Sequence, residues 1–461
     1  MTLTLTCPKD WQAVSNGIET RYDWDDKSNN GVHVVERNNI EYFIDFYDKE
    51  TQIAVCDFEQ TPKISPYLYA VCAGPYRVFE DFDPMHVPQR VFVRQSLVEN
   101  MRQELVFGIT KTTIAFYQKS FGQRYPFSKI DHVMSPDYKY GAMENVGCIT
   151  YSDDIMCSQK EMSVPQLTFF AVVIQHELCH MWFGNLVTMQ WWNDLWLNEA
   201  FATALSYKAC SEGGDFVNEF KEEAWLHMSG YKRWGLGDDL MPSNHKIQAD
   251  CPSTDMAESL IDGITYGKGS SLIKQLIFLM DWEPFCAGLR IYFKRHKWGN
   301  TTLPDFLQAM QIGYDESKPT EPLDLDQWGK DWLQTKGVNK MSSEYEQADG
   351  KFTKFQIRQT PCKHADNKFR KQTINIAFYN DEGGLVEKIE RVNVENKELT
   401  ELEFLKGKQV PAGILLNSDD WGFGHFLLTD ESIKLFEDKL SKVQNKVDRA
   451  VVIGQLICMM R

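Results

Sequence analysis

Hydrophobic and polar positions change rhythm along the chain. Up to about residue 80 the apolar residues fall in short alternating runs, such as Tyr42-Phe43-Ile44-Asp45-Phe46 and Tyr67-Leu68-Tyr69-Ala70-Val71. That period of two predicts strands joined by polar turns. From about 95 to 335 the apolar spacing becomes three and four, and the stretches 101–121, 166–183 and 272–280 predict helices, with loops at Tyr125-Pro126 and Ser135-Pro136-Asp137. Beyond 337 the alternation returns: 352–357, 373–378 and 389–394 predict strands, and Asp381-Glu382-Gly383-Gly384 predicts a hairpin turn. Residues 430–461 are helical again, with 434–446 as a solvated helical face. There is no internal repeat and no low-complexity tract.

Composition narrows the class without naming a function. A chain of 461 residues, 43% hydrophobic and 25% charged, is ordinary for a folded protein of roughly three domains. The longest apolar stretches, 169–174 and 276–280, fall far short of the roughly 20 residues of a membrane span. With 65 acidic against 49 basic residues and a net charge of −16, the surface repels phosphate backbones, so no nucleic-acid partner is expected. Eleven cysteines without a C-x-x-C spacing read as reduced thiols, and no basic-then-apolar leader opens the chain; the expected location is cytoplasmic. Nothing in the sequence specifies an oligomeric state.

The sharpest chemistry is His176-Glu177-Leu178-Cys179-His180 inside an apolar helical stretch. A four-residue spacing puts both imidazoles on one face, where they can share a tetrahedral cation. Glu177 is placed to take a proton from a water that the cation activates. A catalytic Zn²⁺ needs a third protein ligand, and Glu199, eighteen residues after His180, is the candidate. Cys179 should point away from the metal. The remaining histidines, His33, His86, His132, His227, His245, His296, His364 and His425, show no ligand spacing and read as structural, while the tryptophans of 191–196 read as core and support for Glu199.

Gly141-Ala142-Met143-Glu144-Asn145 followed by H-E-x-x-H and Glu199 resembles the signature pair of the zinc metallo-aminopeptidases of the aminopeptidase N type, gluzincins that include the leukotriene hydrolase branch. Trp182-Phe183-Gly184-Asn185-Leu186-Val187-Thr188-Met189 and the segment from Trp191 to Glu199 are similar to the same family. The resemblance implies one Zn²⁺ per chain on His176, His180 and Glu199, with Glu177 as general base. It implies that Glu144 pairs with the free α-ammonium of a peptide substrate, that Gly141, Ala142, Met143 and Asn145 contact the substrate, and that Tyr140 lines the pocket for the first side chain. Tyr266, sixty-seven residues after Glu199 in a tyrosine–x–lysine–glycine setting, matches the family's oxyanion donor.

The implied fold is multidomain α+β: a partial N-terminal β-domain (1–80), a thermolysin-like zinc peptidase domain (81–336), a β-sandwich (337–428) and the start of a C-terminal helical domain (429–461). Family members usually begin with a β-domain of about 200 residues, so the chain reads as truncated at both ends, and the residue that normally helps Glu144 hold the amine has no match. The implied activity is hydrolysis of the first peptide bond of peptides with a free N-terminus. Two alternatives stand beside it: a truncated, inactive or binding-only paralogue, and a leukotriene-hydrolase-like bifunctional zinc hydrolase.

Overall fold

The computed structural model describes residues 1–23, 34–37, 40–43, 53–157, 161–213 and 217–460. The fold is a mixture of helices and strands in two compact units. One comprises Met1–Thr188, Glu212–Asn218 and His296–Asn300; the other comprises Met189–Ser211, Glu219–Arg295 and Thr301–Arg461. Among the described residues no helix is long and apolar enough to cross a membrane. All eleven cysteines are free thiols.

The first unit is organised by a five-stranded sheet in the order Ala142–Met143, Ile149–Ser152, Ile130–Ser135, Gln89–Arg94, Tyr76–Asp81. Its three central strands are parallel and its edges antiparallel. The helix Gln103–Phe121 ends where Gly122 takes a left-handed conformation, and it packs on the helix Val164–His180. A buried aromatic group joins them: Tyr117 stacks on Phe121 at 5.2 Å, and Trp182 meets both rings edge-on. Residues 1–23 and 53–74 add smaller sheets, including the pairs Leu3–Pro8 with Ile53–Phe58 and Gln12–Ser15 with Val71–Gly74.

A buried polar knot fastens these smaller sheets to the large one. Lys129 Nζ donates to Asp131 at 2.5 Å and to the carbonyls of Ser15 and Gly147 at 2.7 and 2.6 Å. Arg90 bridges Asp131 and Glu19. Burial alone would raise the Asp131 carboxyl, but Arg90 and Lys129 hold it below its usual value. Asn16 reaches the carbonyls of Leu68 and Val146 and accepts from Ala70 N.

In the second unit, a four-stranded sheet (Leu399–Glu401, Lys351–Pro361, Asn339–Ala348, His425–Phe426) faces a three-stranded one (Leu385–Val394, Gln372–Tyr379, Gly413–Ser418). Met341, Phe352, Phe355, Ile357, Ile374, Ile376 and Phe378 are among the side chains that fill the core. Every residue of Gln372–Tyr379 is buried, because the helices Asp430–Lys439 and Lys446–Met459 cover the other face of that strand with Phe436, Val451 and Val452. The remaining helices of this unit include Trp196–Glu212, Val217–Asp239 and Gly269–Met280.

Some expectations change. The run 67–71 is not a strand: Pro66 opens a single 3₁₀ turn, Pro66–Leu68, and the strand starts at Val71. Proline has no N–H for a ladder and fixes the φ that such a turn needs. Of the run at 42–46, only Tyr42 and Phe43 lie within the described residues, at the end of the strand Ile40–Phe43. The stretch 434–446 is not one helical face. The helix stops at Lys439, a 3₁₀ turn follows at Leu440–Lys442, Val443 is buried, and Asn445 caps the next helix through Val447 N and Asp448 N. The hairpin at 381–384 forms, with Gly383 at φ 77°, a conformation that a Cβ would strain.

Candidate functional site

The helix Val164–His180 carries the densest chemistry of the first unit. Ser163 and Gln166 form a capping box at its start, with Gln166 Oε1 accepting from Ser163 N at 2.9 Å and Pro165 in the first turn. Phe170, Ala171, Ile174 and Leu178 bury its apolar face. Cys179 lies in the same core beside Tyr117, and burial pushes its thiol well above the usual range. It is no metal-ligand candidate, as its helical position predicts.

His176 and His180 project from one side, their Nε2 atoms 3.0 Å apart. His180 Nδ1 lies 3.0 Å from the Phe183 carbonyl, an acceptor only. In neutral His180 the proton therefore sits on Nδ1 and Nε2 presents its lone pair, the tautomer that a metal ligand requires. Glu144, Glu177 and His180 are all buried and bring one ligand-capable atom each within 4.8 Å of one another. Two buried carboxylates so close to buried His180 and half-buried His176 are costly without a cation to neutralise them, so the residues present fit a divalent metal. Their nitrogen and carboxylate donors suit Zn²⁺.

Glu144 stands just past the edge strand Ala142–Met143, which pairs with Ile149–Ser152, while Ser152 N donates to the Gly141 carbonyl at 2.9 Å. Asn185, in the turn after the helix Val164–His180, donates to the Glu144 carbonyl at 2.8 Å. Asn145 is locked from two sides, donating to the Leu68 carbonyl at 3.4 Å and accepting from Thr150 Oγ1 at 3.1 Å. Gly147 follows at φ 64°, where an added Cβ would meet the Asn16 carbonyl at 2.6 Å. Tyr140 is 40% exposed, with the Lys139 ammonium 5.2 Å from its ring centre.

Tyr138 belongs to this cluster although its sequence context gives it no motif. Burial raises its phenol, its hydroxyl lies 2.8 Å from Thr150 Oγ1, and the nearby charges of Glu177 and Glu144 raise it further. It therefore stays protonated, a donor beside two carboxylates. Asn185 lies inside a recognisable motif, but its role shows only in three dimensions.

Glu199 and Tyr266 belong to the second unit. Glu199 is buried in the first turn of the helix Trp196–Glu212. Asp194, just before that helix, accepts from Gln248 Nε2 at 2.9 Å and Leu303 N at 3.3 Å, and its burial raises its carboxyl above the usual value. Trp196 is core, as expected, whereas Trp191 is exposed with its indole donating to the Cys251 carbonyl. Tyr266 is half-buried in a π-helical turn, Ile264–Lys268. An added Cβ on Gly269 would sit 2.8 Å from Ala200 Cβ, so the end of this turn lies against the residue that follows Glu199.

Of the other histidines, His33 lies outside the described residues. His86, His132, His227 and His245 are engaged with Asp83, Thr110 and Tyr151, Tyr207, and Asp262 respectively.

Residues 106–332 match the Peptidase family M1 domain. Aminopeptidase N of Streptomyces lividans is 38% identical over 411 residues, 86% of this chain and 46% of that protein. A probable aminopeptidase 2 of Sulfurisphaera tokodaii is 32% identical over 296 residues, 61% of this chain and 34% of the relative. Aminopeptidase 2, mitochondrial, of Saccharomyces cerevisiae is 34% identical over 255 residues, 55% and 26% of the two chains. The chain thus spans less than half the length of these relatives. On this match and on the paired motifs around Glu144 and His176, the chain belongs to the aminopeptidase N type of peptidase family M1.

Proposed function

We propose that the protein is a zinc aminopeptidase that hydrolyses the first peptide bond of peptides with a free amino terminus. The observation that carries this reading is the convergence of His176, His180, Glu177 and Glu144 in one buried cluster. His176 and His180 would hold the metal, with Glu199 as third ligand on the strength of its motif spacing. Bound there, Zn²⁺ supplies Lewis-acid activation of water and of the peptide carbonyl. Glu177 takes the proton of the attacking water and passes it to the leaving amine. Tyr266 donates its hydroxyl to the carbonyl oxygen as negative charge develops there. Glu144 pairs with the substrate α-ammonium and so sets the cut one residue from the end. Gly141, Ala142, Met143 and Asn145 line the peptide path, and Tyr140 borders the first side chain.

The proposed organisation divides the chain into four segments: 1–80, 81–336, 337–428 and 429–461. The eleven free thiols support a cytoplasmic location. Neither a binding-only role nor an epoxide hydrolase activity has an observation in its favour. The test is turnover of a fluorogenic aminoacyl amide by the zinc-loaded chain, against the same substrate with its amine acetylated. Cleavage of the free-amine substrate alone is expected, and equal cleavage of both would sink the assignment of Glu144.

A further inference from the structure

The turn that carries Tyr266 is unusually wide. The Gly263 carbonyl accepts from both Gly267 N at 2.8 Å and Lys268 N at 2.9 Å, which adds one residue to the helical ring. Ile264 and Thr265 at its start are buried, so their N–H groups need partners other than water. Asp262 supplies them: Oδ1 accepts from Ile264 N at 3.0 Å and Thr265 N at 2.9 Å, and its main-chain carbonyl accepts from Tyr266 N at 3.1 Å. The other carboxylate oxygen, Oδ2, lies 2.7 Å from His245 Nε2. Burial opposes the charge of His245, but its bonds to Asp262 and the Lys246 carbonyl outweigh that and hold its proton to higher pH than usual.

The rest of the turn is fixed by contacts with little room to give. Asp238 Oδ2 accepts from Gly263 N at 2.9 Å, and the fully buried Lys268 pairs with Asp239 at 2.9 Å. An added Cβ on Gly267 would meet the Tyr231 carbonyl at 2.2 Å. Were the leading N–H groups released, the local way to satisfy them is a slip to the ordinary helical register. That slip turns a side chain by about 100° around the helix axis. Asp262, whose side chain is 26% exposed, and its partner His245, 25% exposed, can be altered without opening the core.

We infer that Asp262, backed by His245, is a positioning residue for Tyr266, holding the wide turn in the register that directs the phenol hydroxyl. This rests on the proposed role of Tyr266, so Tyr266→Phe in the zinc-loaded full chain comes first: if it keeps full kcat, the reading of Tyr266 fails, whatever Asp262 does. Given a loss there, Asp262→Ala is expected to lower kcat about tenfold or more with KM within about twofold and zinc content unchanged. Asp262→Asn, whose amide oxygen still accepts from the two N–H groups, should recover most of it. In the Tyr266→Phe background, Asp262→Ala should cost nothing further, a result that general loosening would not give. Unchanged kcat in Asp262→Ala, or the same fold loss in both backgrounds, overturns the inference. Should Asp262→Ala fail to fold, His245→Gln carries the same test: a smaller kcat loss, absent once Tyr266 is Phe, supports the inference, and an equal loss in both backgrounds overturns it.

Discussion

In the helix Val164–His180 the reactive side chains owe their alignment to the helix itself: four residues bring His176 and His180 to Nε2 atoms 3.0 Å apart, and a capping box starts the helix from within its own sequence. The turn Ile264–Lys268 is capped locally by Asp262, but much of its support is distant. Asp238, Asp239, Tyr231, Gly235 and His245 reach the turn or the residues that lead into it from 17 to 36 residues away. The first is a periodic element that would align its two imidazoles on nearly any scaffold, and the second is a widened turn held largely by its surroundings. Alignment of two imidazoles can therefore rest on spacing, whereas placement of a single hydroxyl needs a frame.

The comparison breaks most sharply at the base. Glu177→Gln should keep bound zinc yet lower kcat by about a thousandfold, the range of general acid–base catalysis; metal analysis and the fluorogenic assay check both halves. Acid should separate the two regions next. His132, buried against Thr110 and Tyr151 in the first unit, is kept neutral by burial and protonates in the fold only near pH 4. The unfolded chain takes up that proton near pH 6.5, so stability falls as pH drops between the two values, by about 1.4 kcal/mol per unit. His245 has the opposite sign. Its pKa is raised in the fold, so its stabilisation is complete below about pH 6.5 and is lost as pH rises through the raised value. Denaturant midpoints across pH should show the acid loss vanish in His132→Gln, while the loss at higher pH should vanish in His245→Gln.

Smaller effects sharpen the contrast. Gly267→Ala forces a methyl against main chain and should cost about 1–3 kcal/mol; it should also lower kcat, because it moves the frame of Tyr266. Ser163→Ala removes half of a capping box and should cost about 1 kcal/mol with kinetics unchanged. Thermal unfolding gives the stability terms, and steady-state kinetics decide whether only the first substitution reaches the chemistry.

These differences explain what the sequence discloses. The H-E-x-x-H and Glu144 motifs are local patterns, and the helices and the 381–384 hairpin follow from periodicity and glycine placement. Tyr138, Asn16 and Lys129 are illegible in sequence because partners that define them lie elsewhere in the chain, and Asp262 because its bonds to the next residues belong to a widened turn that no periodicity announces. The strand expected at 67–71 fails for a simpler cause: alternation points to extended chain, but Pro66 imposes a turn.

The knot at Lys129 and Asn16 has a consequence for synthesis. Asn16 bonds the Val146 carbonyl across 130 residues, and Lys129 reaches Ser15 across 114. Loops of that length close slowly compared with the making of a helix. The strand Gln12–Ser15 must therefore wait, with part of Val14 uncovered, until the ribosome has delivered residue 147. Only then can the loop that presents Glu144 lock. The nascent chain passes through a long interval with exposed strand edges, the condition under which chains associate wrongly and chaperones engage. The carboxylate that would read the end of another peptide is set in place by strands made long before it.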